Sequence, residues 1–312
     1  MSIILGYIGF SLNPGFPDSD IITRFFKDGD RVSTNLSEIN VLIIGDFLNE
    51  HEHALIRPYK GFRILYIAEP IVNIPICSVA GQIFKNNKYN AAIGCISNRN
   101  GTHNWVKYPI YRYSVKFSEG TFAETNRHVS AINSENLNSK EFCALINRHD
   151  WGNTRTPIYE RLSKIGKIAC PGKLFNNCSN EELNQIGNAE YIKKFKFNIC
   201  CENFGADHPG YITEKLMNAC LGGAIPIYYG ELDEIDQLIF NVNRILCLNK
   251  DNLNEIVEKV CALNADPDTL NKFYRQPVFC AGAYEEILAM DVNAMGFFET
   301  VREHCKKKNN SK

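Results

Sequence analysis

Short apolar runs bounded by turn residues alternate with helical stripes through residues 3–95, and the same alternation restarts at residue 142. This doubling constrains the fold more than any single motif does. In the first half the candidate strands are Ile3–Ile8, Val41–Ile44, Phe62–Ala68 and Ala91–Cys95. Between the first two, Asp20–Phe26 carries Ile21, Ile22, Phe25 and Phe26 at helical spacing. In the second half Phe142–Ile146 reads as a strand, and Thr156 and Pro157 open a helix as N-cap and first helical residue. Lys167–Cys170, Phe197–Cys201, Ala224–Tyr228 and Arg244–Leu248 are further strands, and a helix starts at Ser179. Asn252 and Glu255 have capping-box spacing ahead of a stripe of Leu253, Ile256, Val257, Val260 and Leu263. Phe117–Lys140, rich in Ser, Asn and Glu, reads as a long connection. Strands alternating with helices imply α/β layers around largely parallel sheets. The expected architecture is two Rossmann-like domains facing a cleft, residues 1–140 and 141–312.

A chain of 312 residues can bury two such cores. Its net charge of -1 supplies no basic field for nucleic acid, so any anion must be held by a local site. No apolar stretch approaches the roughly 20 residues that span a bilayer. The apolar start, Met1 to Gly15, lacks a basic n-region and reads as a first strand rather than a signal peptide. The 12 Cys include no C-x-x-C pair; Cys95, Cys143, Cys200, Cys201 and Cys247 sit in apolar runs, and Cys220 and Cys261 on apolar helix faces. They read as buried thiols in a reducing compartment. The expected location is the cytoplasm, where the chain could sit peripherally at a membrane.

The segment from Phe195 to Gly230 concentrates the chemistry. It reads as a strand, a loop with glycines and a proline, a helix opening on Thr213-Glu214-Lys215, and a second strand. A helix N-terminus offers unpaired N–H groups and a partial positive charge. With an acid and an ammonium in its first turn, it suits a nucleotide: Lys215 for phosphate, Glu214 for sugar hydroxyls. Arg155 lies between a strand and a helix, where a guanidinium can make bidentate contact with a diphosphate. Glu69 ends the apolar run from Phe62, a placement suited to a general base. Asp18-Ser-Asp20 and Asp28-Gly-Asp30 have the form used by metal-dependent sugar transferases, yet read as a helix cap and a turn; no metal is expected. G-x-G-x-x-G, P-loop and G-x-S-x-G patterns are all missing.

Phe197-Asn-Ile-Cys-Cys-Glu-Asn203, then Tyr211-Ile-Thr-Glu-Lys215, then Ile225-Pro-Ile-Tyr-Tyr-Gly230 resemble the donor-binding signature of glycosyltransferase family 10, the α1,3/4-fucosyltransferases. Leu65-Tyr66-Ile-Ala-Glu69 is similar to that family's strand ending in the proposed catalytic glutamate. Ala144-Leu-Ile-Asn147 followed by Arg155 resembles the segment leading to its diphosphate-binding arginine. The resemblance extends more loosely over residues 60–250, and Cys201 stands where the family usually has Phe. It implies a GT-B fold, with residues 1–140 binding acceptor and 141–312 binding GDP-fucose. It also implies an inverting, metal-independent transfer of L-fucose, with GDP-fucose as substrate and no cofactor. Glu69 would be the base; Arg155 and Lys215 would hold the diphosphate beside Asn147. Asn203, Tyr211 and Glu214 would line the donor pocket, Glu214 on the ribose. The expected acceptor is an N-acetylglucosamine-type unit of an oligosaccharide or polysaccharide, at O3, with O4 open. A different nucleotide-sugar donor, or a nucleotide-sugar-binding protein without catalysis, are the other readings.

Overall fold

Strands covered on both faces must be apolar throughout, and Val41-Leu-Ile-Ile44 is fully buried at all four positions. The computed structural model describes residues 2–10, 20–45, 48–69, 89–95, 105–113, 119–133, 135–204 and 210–310. Its first elements are β1 (Ile4–Ile8), α1 (Asp20–Thr23), β2 (Arg31–Val32), β3 (Val41–Ile44), α2 (Glu50–Ile56), β4 (Phe62–Ile67), β5 (Ala91–Gly94) and β6 (Trp105–Lys107). Then come α3 (Glu119–Asn133), β7 (Glu141–Ala144), α4 (Thr156–Leu162), β8 (Ile168–Ala169), α5 (Glu181–Ile186), α6 (Asn188–Ile192) and β9 (Phe195–Ile199). The chain continues through α7 (Glu214–Leu221), β10 (Ile225–Tyr229), α8 (Glu234–Ile239), β11 (Leu246–Leu248), α9 (Leu253–Ala265), α10 (Pro267–Tyr274) and α11 (Ala283–Asn310). Among the described residues no helix is long and apolar enough to cross a membrane.

Two compact units result: residues 1–113 with 288–312, and residues 114–287. Each is an α/β unit around one parallel sheet, as the alternating pattern implies. In the first the strand order is β2-β1-β3-β4-β5-β6. One face of that sheet carries Ile3, Leu5, Val41, Ile43, Ile64 and Tyr66, packed against Phe297, Phe298 and Val301 of α11. The other face buries Leu42 and Ile44 with Ile56 and Tyr59. In the second unit the order is β11-β10-β9-β7-β8. Its main core joins Cys143, Leu145, Phe197, Ile199, Cys201, Ile225 and Ile227 to Ile158, Leu162, Ile256, Val260 and Leu263.

The arrangement differs from a division at residue 140 in two places: residues 114–140 fall with the second unit, and the last residues return to the first. α11 returns its far half to the first sheet, and Arg302 fixes it there by pairing with Asp30 and donating to the Phe25 carbonyl (2.9 Å). Asp30 also accepts from the backbone N–H groups of Ile3 (2.6 Å) and Lys27 (2.8 Å), so this aspartate is a structural clamp in a turn. Asp18, by contrast, lies outside the described residues.

Two local expectations are corrected. Phe117–Lys140 is not a long connection: Glu119–Asn133 within it is helix α3. Its apolar residues are few, but the buried ones, Phe122, Val129 and Ile132, share one face. Ile132 joins the second unit's core, and Phe122 packs on Phe279 and Tyr284. Tertiary packing stabilises a helix that composition disfavours. The capping box at Asn252 and Glu255 does not form either. The Asn252 amide instead accepts from Asn249 N–H (2.7 Å) and donates to the Cys247 carbonyl (2.9 Å), closing the turn before α9.

Candidate active site

The second sheet begins in its middle. From β7 the chain moves outward to β8, then crosses back to β9 on the other side. Loops leaving β7 and β9 therefore diverge, and open α/β sheets bind ligands at that point, beyond the carboxyl ends of the strands. Asn147 and Arg155 come from the first of these loops; Asn203 and the start of α7 come from the second.

Arg155 has no exposed surface. Its Nη1 donates to the His149 carbonyl (3.1 Å), and its Nη2 donates to the Cys201 carbonyl (2.7 Å) and to Asn203 Oδ1 (2.9 Å). With the Asn147 amide turned so that its oxygen faces the guanidinium, Asn147 accepts from Arg155 Nε at 3.1 Å. Four of the five N–H groups of this side chain thus meet partners among the described residues. The fifth is on Nη1, which stands 3.8 Å from Asp150 Oδ1. The bidentate diphosphate contact expected from sequence would require one of the present bonds to be given up. In this arrangement Arg155 ties the two loops together and aims Asn147 and Asn203.

Asp150 holds the loop before α4. Its carboxylate accepts from the backbone N–H groups of Thr154 (2.9 Å), Arg155 (3.0 Å) and Thr156 (2.8 Å) and from the Thr156 hydroxyl (2.6 Å). Thr156 is consequently the first residue of α4 and a donor to Asp150, not the N-cap. Burial works to raise the Asp150 pKa, but these bonds outweigh it and hold the carboxyl below its ordinary value. Gly152 lies against the other loop: a Cβ there would stand 2.2 Å from the Asn203 carbonyl oxygen, so only glycine fits.

Lys215 is anchored by a carboxylate with no exposed surface, Glu202. The ammonium donates to Glu202 Oε2 (3.1 Å) and Thr213 Oγ1 (2.8 Å), with Glu214 Oε1 at 3.6 Å. Glu202 also accepts from Thr213 N–H (2.8 Å), the Thr213 hydroxyl (2.7 Å) and the Tyr228 hydroxyl (3.4 Å). Because the Thr213 hydroxyl serves Glu202, it makes no side-chain cap to α7. The first N–H groups of that helix are not taken up by their N-cap side chain, which is the condition for binding an anion there. Lys215 keeps 19% of its side chain exposed and Glu214 keeps 40%. Burial would raise the Glu214 pKa, but the Lys215 charge and local hydrogen bonds hold it below the usual value, so the carboxylate is ionised beside the ammonium.

Tyr211 is buried at the turn into α7, and residues 205–209 of the same loop lie outside the described residues. The structure thus brings Asn147, Arg155, Asn203, Tyr211, Glu214 and Lys215 into one unit. Glu69 belongs to the other unit, half-buried and two residues past the end of β4, at the carboxyl edge of that sheet. Sequence reasoning gave no role to Glu202, Thr213, Asp150 or Tyr228. For Glu202 a signal existed: a charged residue directly after the apolar run Phe197–Cys201, the same placement that singled out Glu69.

Residues 136–286 match the model of glycosyltransferase family 10 (fucosyltransferase), C-terminal part. Alpha-(1,3)-fucosyltransferase FucT of Helicobacter pylori is 26% identical over 120 residues, which are 38% of this chain and 24% of that protein. Putative fucosyltransferase R654 of Acanthamoeba polyphaga mimivirus is 23% identical over 240 residues, 73% of this chain and 35% of that protein. The 4-galactosyl-N-acetylglucosaminide 3-alpha-L-fucosyltransferase 9 of Cricetulus griseus is 34% identical over 106 residues, 34% of this chain and 27% of that protein. The matched stretches thus span only 24–35% of the length of these relatives. A crystal structure of an α1,3-fucosyltransferase with GDP-fucose superimposes over 94% of this chain and 90% of its own, with a TM-score of 0.67 at 17% identity. At that identity the likeness is one of fold, and it makes the α/β architecture of GT-B type. The loops that carry Asn147, Arg155, Asn203 and Lys215 all fall inside residues 136–286, the stretch over which this chain matches glycosyltransferase family 10 (fucosyltransferase), C-terminal part.

Proposed function

We propose that this chain transfers L-fucose from GDP-fucose to O3 of an N-acetylglucosamine-type unit in a glycan, with inversion and without a metal ion. The observation that carries this reading is the coincidence of the family's C-terminal domain with an ammonium anchored at an uncapped helix N-terminus, at the reversal point of the second sheet. In this reaction negative charge builds on the GDP leaving group. Lys215, the first turn of α7 and the Arg155 guanidinium stabilise that charge, the task a divalent ion performs in other transferases. Glu214 takes the ribose hydroxyls. Glu69 removes the proton from the acceptor hydroxyl as its oxygen bonds to the anomeric carbon and the carbon–phosphate oxygen bond breaks. One displacement inverts the centre and needs no covalent enzyme intermediate. The name of the hamster relative, a 4-galactosyl-N-acetylglucosaminide 3-alpha-L-fucosyltransferase, supports the lactosamine-type acceptor and O3. Deep burial of Cys143, Cys200 and Cys201, whose thiols are pushed up by burial, supports work in a reducing cytoplasm.

The test is mass analysis of products from GDP-fucose and a panel of lactosamine-type and glucose-containing acceptors, in the presence of a chelator. The expected result is one deoxyhexose added to a lactosamine-type acceptor. Glu69→Gln should lose turnover by at least about 10²-fold while retaining GDP affinity. No product from GDP-fucose, activity abolished by the chelator, or a normally active Glu69→Gln protein would each overturn the reading.

A further inference from the structure

The loop from Asn147 to Arg155 carries one residue that the diphosphate site does not use. Trp151 is 58% exposed, more than any other large hydrophobic residue described. Exposed indoles are usually mobile, but this one is held. Asp150 pins the backbone on one side of it, and Gly152 sits against the Asn203 carbonyl on the other. One face of the indole stacks on the His149 imidazole, with ring centroids 3.8 Å apart and planes 12° from parallel. The His149 carbonyl in turn accepts from Arg155 Nη1 (3.1 Å), so the stack hangs directly on the guanidinium. Burial together with the charges of Arg155 and Lys215 keeps the imidazole below its ordinary pKa, hence neutral, and its Nδ1 is buried with no hydrogen-bond partner among the described residues.

A rigid indole with one face backed and the other exposed is a stacking platform, already ordered before a ligand arrives. Two parts of a nucleoside diphosphate sugar could lie on it: the base, or the apolar face of the sugar. Proximity decides between them. The stack is attached to the side chain beside which the diphosphate is proposed to lie. The sugar is bonded directly to that diphosphate, whereas the base is separated from it by a ribose. In a galacto-configured 6-deoxy sugar the C3–H, C4–H and C5–H groups and the C6 methyl form one continuous apolar patch that fits an indole face. We propose that Trp151, backed by His149, is the platform on which the 6-deoxyhexose of the donor stacks. This inference rests on the donor reading above and adds to it the residue that recognises the sugar.

Trp105 and Trp151 are the two tryptophans of the chain, so Trp105→Phe leaves Trp151 as the sole indole reporter. Titration of that variant with GDP-fucose should quench and blue-shift its emission, while GDP alone should leave the emission unchanged. In the wild-type background, Trp151→Ala should raise KM for GDP-fucose about tenfold with the inhibition constant of GDP unaltered, and Trp151→Phe should restore most of the loss. An equal spectral response to GDP would move the indole to the base and overturn the proposal, as would an unchanged KM in Trp151→Ala. Thermal unfolding separates the two layers of the argument. If neither GDP nor GDP-fucose raises the unfolding temperature, the donor reading fails and this inference fails with it. If GDP-fucose stabilises the protein while Trp151 stays silent, only the platform is wrong.

Discussion

At Glu202 a carboxylate without solvent access gathers Thr213, Tyr228 and the Lys215 ammonium. Burying a charge is costly unless it is paired and hydrogen-bonded, and here every partner named is a donor. Removing one charge of such a pair leaves the other uncompensated. Glu202→Gln should therefore lower stability by about 3 kcal/mol, read as a lower urea midpoint, and weaken GDP binding as Lys215 loses its tether. An unchanged midpoint would show that the carboxylate is not the anchor. Lys215, Glu214 and Arg155 were legible in the sequence because strand-loop-helix punctuation located two helix starts and put charges in or just before them, whereas Asn203 was reached only through the family resemblance. The placement of Glu202 after an apolar run was visible, but its bonding was not, because Thr213 and Lys215 lie 11 and 13 residues further on, across a loop whose path local pattern does not specify. Arg155 was found but its bonding was not: the carbonyls and amides that occupy its N–H groups come together only in the folded chain.

The loop after β7 is useful because it is braced, and Asp150 supplies much of that bracing. Its carboxyl titrates below the ordinary 3.8, since burial is outweighed by the Thr156, Arg155 and Thr154 bonds. A depressed carboxyl stabilises the fold fully above its unfolded value, and that contribution is lost as pH falls through the lower folded value. Asp150→Asn should thus be less stable than wild type by about 2 kcal/mol at neutral pH. The gap should close as the pH drops below 3.8. Unfolding curves of both proteins across the acid range check this; a gap that stays constant to the lowest pH would contradict it. The strands were readable from runs such as Val41–Ile44 because a parallel strand buried on both faces is apolar at every position. α3 was not, because Phe122, Val129 and Ile132 are spread among polar residues and are held by packing from Phe279, Tyr284 and the second unit's core.

Across the molecule, two α/β units could be inferred from the repeated alternation, but the destination of the last helix could not. An apolar stripe such as Phe297, Phe298, Val301 and Cys305 states that a face is covered, not which sheet covers it; the structure gives it to the first. Each fully buried Phe or Val contributes about 1.5–3 kcal/mol, so three of them approach the whole stability of a domain, about 5–15 kcal/mol. A chain ending at Ile287 should lose the first unit. Limited proteolysis should digest residues 1–113 and leave a resistant core from 114–287, whereas a first unit that stays resistant would show that α11 is dispensable. The second unit is also where the central claim resides: a guanosine diphosphate held by Lys215 and the start of α7. Isothermal titration of GDP into the full chain with excess chelator tests it most directly. The account predicts saturable GDP binding with the chelator present, no comparable heat from UDP or ADP, and a loss of about 10²-fold in affinity for Lys215→Met. GDP binding that disappears with the chelator, or is unchanged in Lys215→Met, would contradict it.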